Sequence, residues 1–272
     1  MRDVNISDRA VIIHEIEQNL WETWSTYGRG PGCALHDEGD ALWFETPIPT
    51  IPYNGILRFS VEERIDERID HIVDLFQCRK VQFIWLLHPS SFPPDLPARL
   101  QKRTLKDVEP VYGMARTLAL LPDIPPPPEG FEIRKVADES DVTAFYHFAA
   151  WRWHIPEEYE ELYRAIAAGF QLGKPGSRAQ MWQAWCDGQP VAKAGLYLGS
   201  GSAGIHGVVT KPEACRRGLA RILTLTALHE AQKSGYRLAV LHSTPMAHSL
   251  YQSLGFKTSA EFRLFASEDV HV

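Results

Sequence analysis

Long apolar runs are missing from this chain. No stretch of its 272 residues approaches the length of a membrane span. The opening Met1-Arg2-Asp3-Val4-Asn5 lacks the apolar core of a secretion signal. Cysteine is scarce: Cys33, Cys78, Cys186 and Cys215 stand apart, without metal-ligand spacing. They read as reduced thiols of a cytoplasmic protein that holds no metal. An excess of positive charge is missing too. Lys and Arg number 28 against 34 Asp and Glu, a net charge of −6, whereas a nucleic-acid binder needs a basic footprint. Neither a membrane nor a nucleic acid is expected as partner. What remains is globular composition, 44% hydrophobic with 23% charged residues, over a length that suits two domains.

The most informative segment runs from Val208 to Arg221. Val208-Val209-Thr210 closes a β-branched strand, Lys211-Pro212-Glu213 turns, and Cys215-Arg216-Arg217-Gly218-Leu219-Ala220-Arg221 opens a helix. The first helical turn has N–H groups without internal partners, and the helix dipole favours negative charge there. Gly218 and Ala220 keep the surface low enough for a diphosphate to reach the backbone. Arg216, Arg217 and Arg221 add cationic donors. The helix is expected over about 218–234, with Leu219, Ile222, Leu223, Leu225, Leu228 and Ala231 as its apolar face and Gly235 as its stop. Leu238 to Leu241 reads as a short buried strand. It leads into Thr244-Pro245-Met246-Ala247-His248-Ser249-Leu250-Tyr251-Gln252-Ser253-Leu254-Gly255-Phe256.

Both blocks resemble the GNAT N-acetyltransferases. Gly218 and Ala220 match the glycine and the small residue of the family's Arg/Gln-x-x-Gly-x-Gly/Ala cradle for coenzyme A. Cys215 stands where that family prefers Arg or Gln. In the second block Ala247, Leu250, Tyr251, Gly255 and Phe256 match Asn-x-x-Ala-x-x-Leu-Tyr-x-x-x-Gly-Phe, and Thr244 replaces the asparagine. The resemblance covers about residues 130 to 266. It implies an α/β (α+β) fold with a mixed central sheet flanked by helices, and acetyl-CoA as cofactor. It also implies a cofactor site of Val208, Val209, Thr210, Arg216, Arg217, Gly218, Leu219, Ala220, Arg221 and Thr244.

Pro125 to Pro128 form a stiff extended spacer within 123–130, which divides the chain into domains at 1–122 and 131–272. Beyond it, Phe131 to Arg134 reads as a strand and Asp138 caps a helix to about Ala150. Pro156 opens a second helix to about Ala168. Met181–Cys186 and Val191–Leu198 form a hairpin about Asp187-Gly188, and Ile205–Thr210 is the next strand. The first half repeats this order: a helix from Arg9 to about Ser25, strands at 34–36, 41–45 and 55–59, and a helix from Val61 to about Arg79. A strand at 81–87, a short helix from Leu96 and a last strand at 111–118 follow. Its strand-to-helix junction, Ser60-Val61-Glu62-Glu63-Arg64, has no glycine, and its two carboxylates would repel a diphosphate. The expectation is a tandem of two GNAT-like domains, the N-terminal one degenerate, existing as a monomeric pseudo-dimer or a homodimer.

The resemblance implies transfer of an acetyl group to a primary amine of a small molecule or amino acid. Tyr251 corresponds to the family tyrosine that faces the cofactor sulfur, and its phenol could protonate a departing thiolate. His206, on the strand before the motif, is the candidate base. Some family members carry a glutamate where Gly204 stands. Trp151, Trp153, His154, Trp182 and Trp185 border the acceptor groove in such a fold or pack its core. The acidic run Glu157 to Glu161 is read as a solvated helix start. A non-catalytic acyl-CoA sensor or protein-interaction module is the alternative, separated from the enzyme by thiol release.

Overall fold

The computed structural model describes residues 8–267. In chain order the elements are α1 (Arg9–Trp24), β1 (Ala34–Asp37), β2 (Ala41–Glu45), β3 (Gly55–Phe59), α2 (Ile65–Arg79), β4 (Ile84–Leu87), α3 (Leu96–Lys102) and β5 (Lys106–Thr117). Then follow β6 (Phe131–Lys135), α4 (Glu139–Trp153), α5 (Glu160–Ala167), β7 (Ala179–Cys186), β8 (Gln189–Leu198), β9 (Ala203–Thr210), α6 (Leu219–Lys233), β10 (Leu238–Ser243), α7 (His248–Ser253) and β11 (Lys257–Ala266).

These elements gather into two compact units, neither of them continuous in sequence. Unit 1 takes the chain through Thr23, then Tyr112–Ala149 and Phe170–Ala260; unit 2 takes Trp24–Val111, Ala150–Gly169 and the residues from Glu261 onward. The chain therefore passes between units within β5, α4 and β11. The contiguous cut at the proline segment describes the order of elements along the chain, whereas the packing interleaves them.

In unit 1, β6, β7, β8 and β9 are antiparallel neighbours, β9 pairs in parallel with β10, and β10 pairs antiparallel with β5. In unit 2, β1, β2 and β3 are antiparallel, β3 runs parallel to β4, and β4 pairs antiparallel with the Arg263–Ala266 end of β11. The same pattern appears in both: an antiparallel hairpin series, a helical crossover, a parallel strand, and an antiparallel strand supplied by the other half of the chain. The crossovers, α6 and α2, are the expected connections between parallel strands.

Each unit has its own core. In unit 1, Leu219, Leu223 and Leu228 of α6 pack with Ala192, Ala194 and Leu196 of β8 and with Ala184 and Trp182 of β7. Strand alternation therefore turns Lys193 and Gln183 to the opposite face. In unit 2, Phe59, Phe76, Trp85 and Phe265 are buried together. Trp182 thus serves burial.

Local departures from the expected elements have physical causes. α2 begins at Ile65 and not at Val61, because Arg64 takes a left-handed conformation (φ 51°) that the helix cannot run through. β5 starts at Lys106, and Pro110 in its middle hides the strand from the pattern of alternation. Asp187 and Gly188 both have positive φ, as a two-residue hairpin turn of the primed type requires.

Candidate active site

Strands β9 and β10 are paired only through Ala203–Ala239, Gly204–Val240 and Ile205–Leu241. Beyond Ile205 the rest of β9, His206 to Thr210, has no partner on β10 among the described pairs. The two parallel strands part there, and their C-terminal ends lie at one edge of the sheet. Parallel strands in α/β folds present ligands at this edge. Val208, Val209 and Thr210 lie along the opening on the β9 side, with Thr210 and Val209 opposite Ala192 and Lys193 of β8.

β9 also carries a bulge. Lys193 faces Val209 and Gly195 faces His206, so Gly207 and Val208 together oppose the single residue Ala194. Gly207 adopts φ 56°, the left-handed glycine of a bulge that turns the strand's amides away from the ladder. The sequence reading missed this feature. A glycine interrupting a β-branched strand is the signal that could have found it.

At the head of α6, Gly218 adopts φ 79°, and no side chain caps the helix. The first helical bond runs from Ile222 N–H to Gly218 C=O at 3.1 Å, so the amides of Leu219, Ala220 and Arg221 precede the ladder. A Cβ at Gly218 would meet nothing within 4 Å, so the approach to these amides is open. Arg216 and Arg217 are exposed, and the Arg217 guanidinium lies 5.5 Å from the centre of the Phe131 ring. Arg221 donates to Ser253 Oγ at 3.1 Å, tying the head of α6 to α7. Thr244 follows β10 at the same edge, its carbonyl accepting the Ala247 N–H at 3.2 Å.

Tyr251 sits on α7, buried, with Phe256 edge-on at 6.0 Å. Burial pushes its phenol well above the ordinary range, so the hydroxyl keeps its proton at neutral pH. Gly255 (φ 82°) ends the helix and lets the Phe256 N–H reach Tyr251 C=O at 3.0 Å.

His206 is held by α1. Its Nε2 lies 2.9 Å from Asn19 Oδ1 and 3.3 Å from Thr23 Oγ1. Asn19 Nδ2 faces the carbonyls of Ser202 (2.9 Å) and Tyr197 (3.5 Å), which fixes the amide and presents Oδ1 to the imidazole. Nε2 therefore carries the hydrogen, and the lone pair is on Nδ1. Desolvation lowers the imidazole pKa to about 4. The same packing explains Gly204: a Cβ there would overlap Asn19 Oδ1 and the His206 ring, so no glutamate fits. All the sequence-predicted cofactor residues, with Tyr251 and His206, fall in unit 1. Trp151, Trp153 and His154 fall in unit 2.

Residues 142–256 match the model of the Acetyltransferase (GNAT) family. This segment is similar to a GNAT acetyltransferase domain. It contains the parted strands, the bulge, the head of α6 and Tyr251. Among solved structures, a GCN5-related N-acetyltransferase from Kribbella flavida superposes with a TM-score of 0.66 at 18% identity, covering 93% of this chain and 96% of its own. A tandem GNAT protein from the clavulanic acid biosynthesis pathway gives 0.59 at 14% identity, covering 99% and 97%. A GCN5-related N-acetyltransferase from Sphaerobacter thermophilus gives 0.57 at 18%, covering 85% and 81%. At these identities the likeness is one of fold, and it spans both units of the chain. No curated protein matches the sequence. Among the described residues, no helix is long and apolar enough to cross a membrane.

Proposed function

We propose that this chain is a cytoplasmic N-acetyltransferase that moves the acetyl group of acetyl-CoA to a primary amine of a small molecule or amino acid. The observation that carries the proposal is the parting of β9 from β10 directly beside the uncapped head of α6. One feature offers unpaired strand edge for an extended arm, and the other offers orphan amides for a diphosphate. Acetyl-CoA brings the thioester, an acyl carbon open to attack with a thiolate as leaving group. The chain's part is to bind, orient and handle protons. The amides of Leu219, Ala220 and Arg221, with the guanidinium groups of Arg216 and Arg217, take the diphosphate. Val208 to Thr210 align the pantetheine arm, and a bulge amide of β9 polarises the thioester carbonyl. Tyr251 gives its proton to the leaving sulfur.

His206 has its Nδ1 lone pair for a proton, but at a pKa of about 4 it is a weak base. It is already neutral throughout the range from pH 6 to 9. We expect His206→Ala to leave any rate limb in that range in place, because the limb then reports deprotonation of the ammonium substrate. Loss of the limb in the variant, read from kcat/KM against pH, would show instead that cofactor binding restores His206 to an ordinary imidazole.

The tandem reading gives unit 2 a supporting role. The Glu62-Glu63 junction is exposed, Arg64 is paired with Glu67, and Asp66 and Glu67 occupy the first turn of α2. A diphosphate would meet net negative charge there. One coenzyme A should bind per chain, and a calorimetric stoichiometry near two would overturn this part. The commitment of His206 to Asn19 favours a competing reading, a coenzyme A sensor without turnover. Thiol release from acetyl-CoA across a panel of primary amines decides between them: release dependent on amine supports the enzyme, and binding without release supports the sensor.

A further inference from the structure

Arginines elsewhere in this acidic chain are matched by carboxylates. Arg58, Arg79, Arg103, Arg178 and Arg263 are each ion-paired with Asp or Glu. Two groups in unit 1 depart from that pattern. One is the set of arginines at the head of α6, assigned above to a diphosphate. The other surrounds a cleft of about 350 Å³ whose lining includes Arg9, Arg116, Thr117, Leu238, Lys257 and Thr258. Every residue that lines it belongs to unit 1. Leu238 opens β10, whereas the cofactor edge lies past Ser243 at the other end of the same strand, about 16 Å along it. The cleft is therefore separate from the head of α6.

Arg116 of β5 is the fixed cation of this cleft. It donates from Nε to Thr117 C=O at 3.1 Å, from Nη2 to Leu120 C=O at 2.6 Å, and from Nη1 to Leu254 C=O. These carbonyls orient the guanidinium without neutralising it, and they leave part of its five-donor fork open. Burial draws its pKa below the ordinary value, with no carboxylate to raise it again. Arg9, the first residue of α1, donates from Nε to Ser259 C=O at 3.1 Å, and its terminal nitrogens have no partner among the described residues. Lys257, the first residue of β11, is exposed and makes no ion pair among the described residues. No Asp or Glu is among the described residues that line the cleft. Asp8, next to Arg9 in sequence, accepts the Ala10 N–H at 2.8 Å. Three like charges around one cleft repel one another, and an anion between them reverses that cost.

We infer that this cleft is a second anion site, which binds the phosphate group of a small phosphorylated molecule through Arg9, Arg116 and Lys257. A phosphate monoester brings close to two negative charges and three strong acceptor oxygens, one for each cation. A carboxylate brings one charge and two oxygens. The cleft has room for about ten water volumes, so the organic part of the ester fits beside its phosphate. Arg116 anchors the phosphate in a fixed direction, and the exposed Arg9 and Lys257 close on it.

The test uses the full chain saturated with coenzyme A, which occupies the head of α6, in a buffer of low ionic strength. Calorimetry with glycerol 3-phosphate and with inorganic phosphate should each show one site per chain, the ester binding at least as tightly as the ion. Acetate at the same ionic strength should show none. Arg9→Glu and Lys257→Glu change exposed side chains, so the melting temperature and the Kd for coenzyme A should stay as they are. Each should weaken phosphate binding about tenfold or more. Lys257→Arg should keep it. No phosphate binding to the loaded chain would overturn the inference. So would acetate binding as well as phosphate, the ion binding where the ester fails, or affinity intact in both charge reversals. If coenzyme A itself does not bind, the cofactor reading fails by itself. The same titration of the unloaded chain then decides the cleft, because the reversals leave Arg216, Arg217 and Arg221 in place: affinity lost in Arg9→Glu and Lys257→Glu upholds the site, and affinity retained sinks it.

Discussion

Gly218→Glu is expected to abolish coenzyme A binding in a chain that still folds. The position is exposed, and nothing stands within 4 Å of a Cβ placed there, so the side chain itself displaces no neighbour. Its backbone is left-handed at φ 79°, and any residue with a Cβ meets a strain of about 1–2 kcal/mol. That strain falls equally on Gly218→Ala, which serves as the control for stability. What the glutamate adds is a negative charge at the uncapped head of α6, where a diphosphate would lie. Two like charges about 4 Å apart near a protein surface repel by about 4 kcal/mol, close to a thousandfold in affinity. The measurement is the calorimetric Kd for coenzyme A beside the melting temperature. Equal stability in the two variants with affinity lost only in the glutamate variant locates the cradle. Unchanged affinity in folded Gly218→Glu would mean that the cofactor binds elsewhere.

Tyr251→Phe is expected to lower kcat by about a hundredfold or more at unchanged cofactor affinity, the usual worth of a general acid. The phenylalanine ring keeps the edge contact with Phe256 and the burial on α7, and only the hydroxyl goes. A phenol raised by desolvation holds its proton across the working pH range, as a donor to a leaving thiolate must. An activity within twofold of the wild type would assign that proton to water.

The head of α6 was the most legible part of the sequence because its signals are local. Gly218, the arginines around it and the apolar face from Leu219 to Ala231 all lie within one helix and its approach, and the helix falls where the pattern placed it. The hairpin at Asp187-Gly188 was legible for the same reason. What could not be read was long-range. Asn19 fixes the state of His206 from 187 positions away, and nothing in either segment's own pattern announces that meeting. The bulge at Gly207 needed the register of β8 against β9, a pairing property and not a property of one strand. The burial of Gln183 and Lys193 was invisible too, since polar residues on a strand ordinarily mean a solvated face. Phe145 of α4 lies over the Lys193 ammonium.

The exchange of strands between the two halves of the chain sets a timetable for biosynthesis. Domains of a growing chain ordinarily fold in the order they emerge, the N-terminal one first. Here Arg263–Ala266 are the residues that pair with Ile84–Leu87, so the sheet around β4 has an open edge until those residues have been translated. Unit 1 in turn takes α1 and Tyr112–Thr117 from the first half, so a ribosome stalled at the proline segment would hold a chain that completes neither sheet. The unit 2 core closes only once Phe265 has been made, and the interval before that is when an unpaired β4 is exposed to other chains.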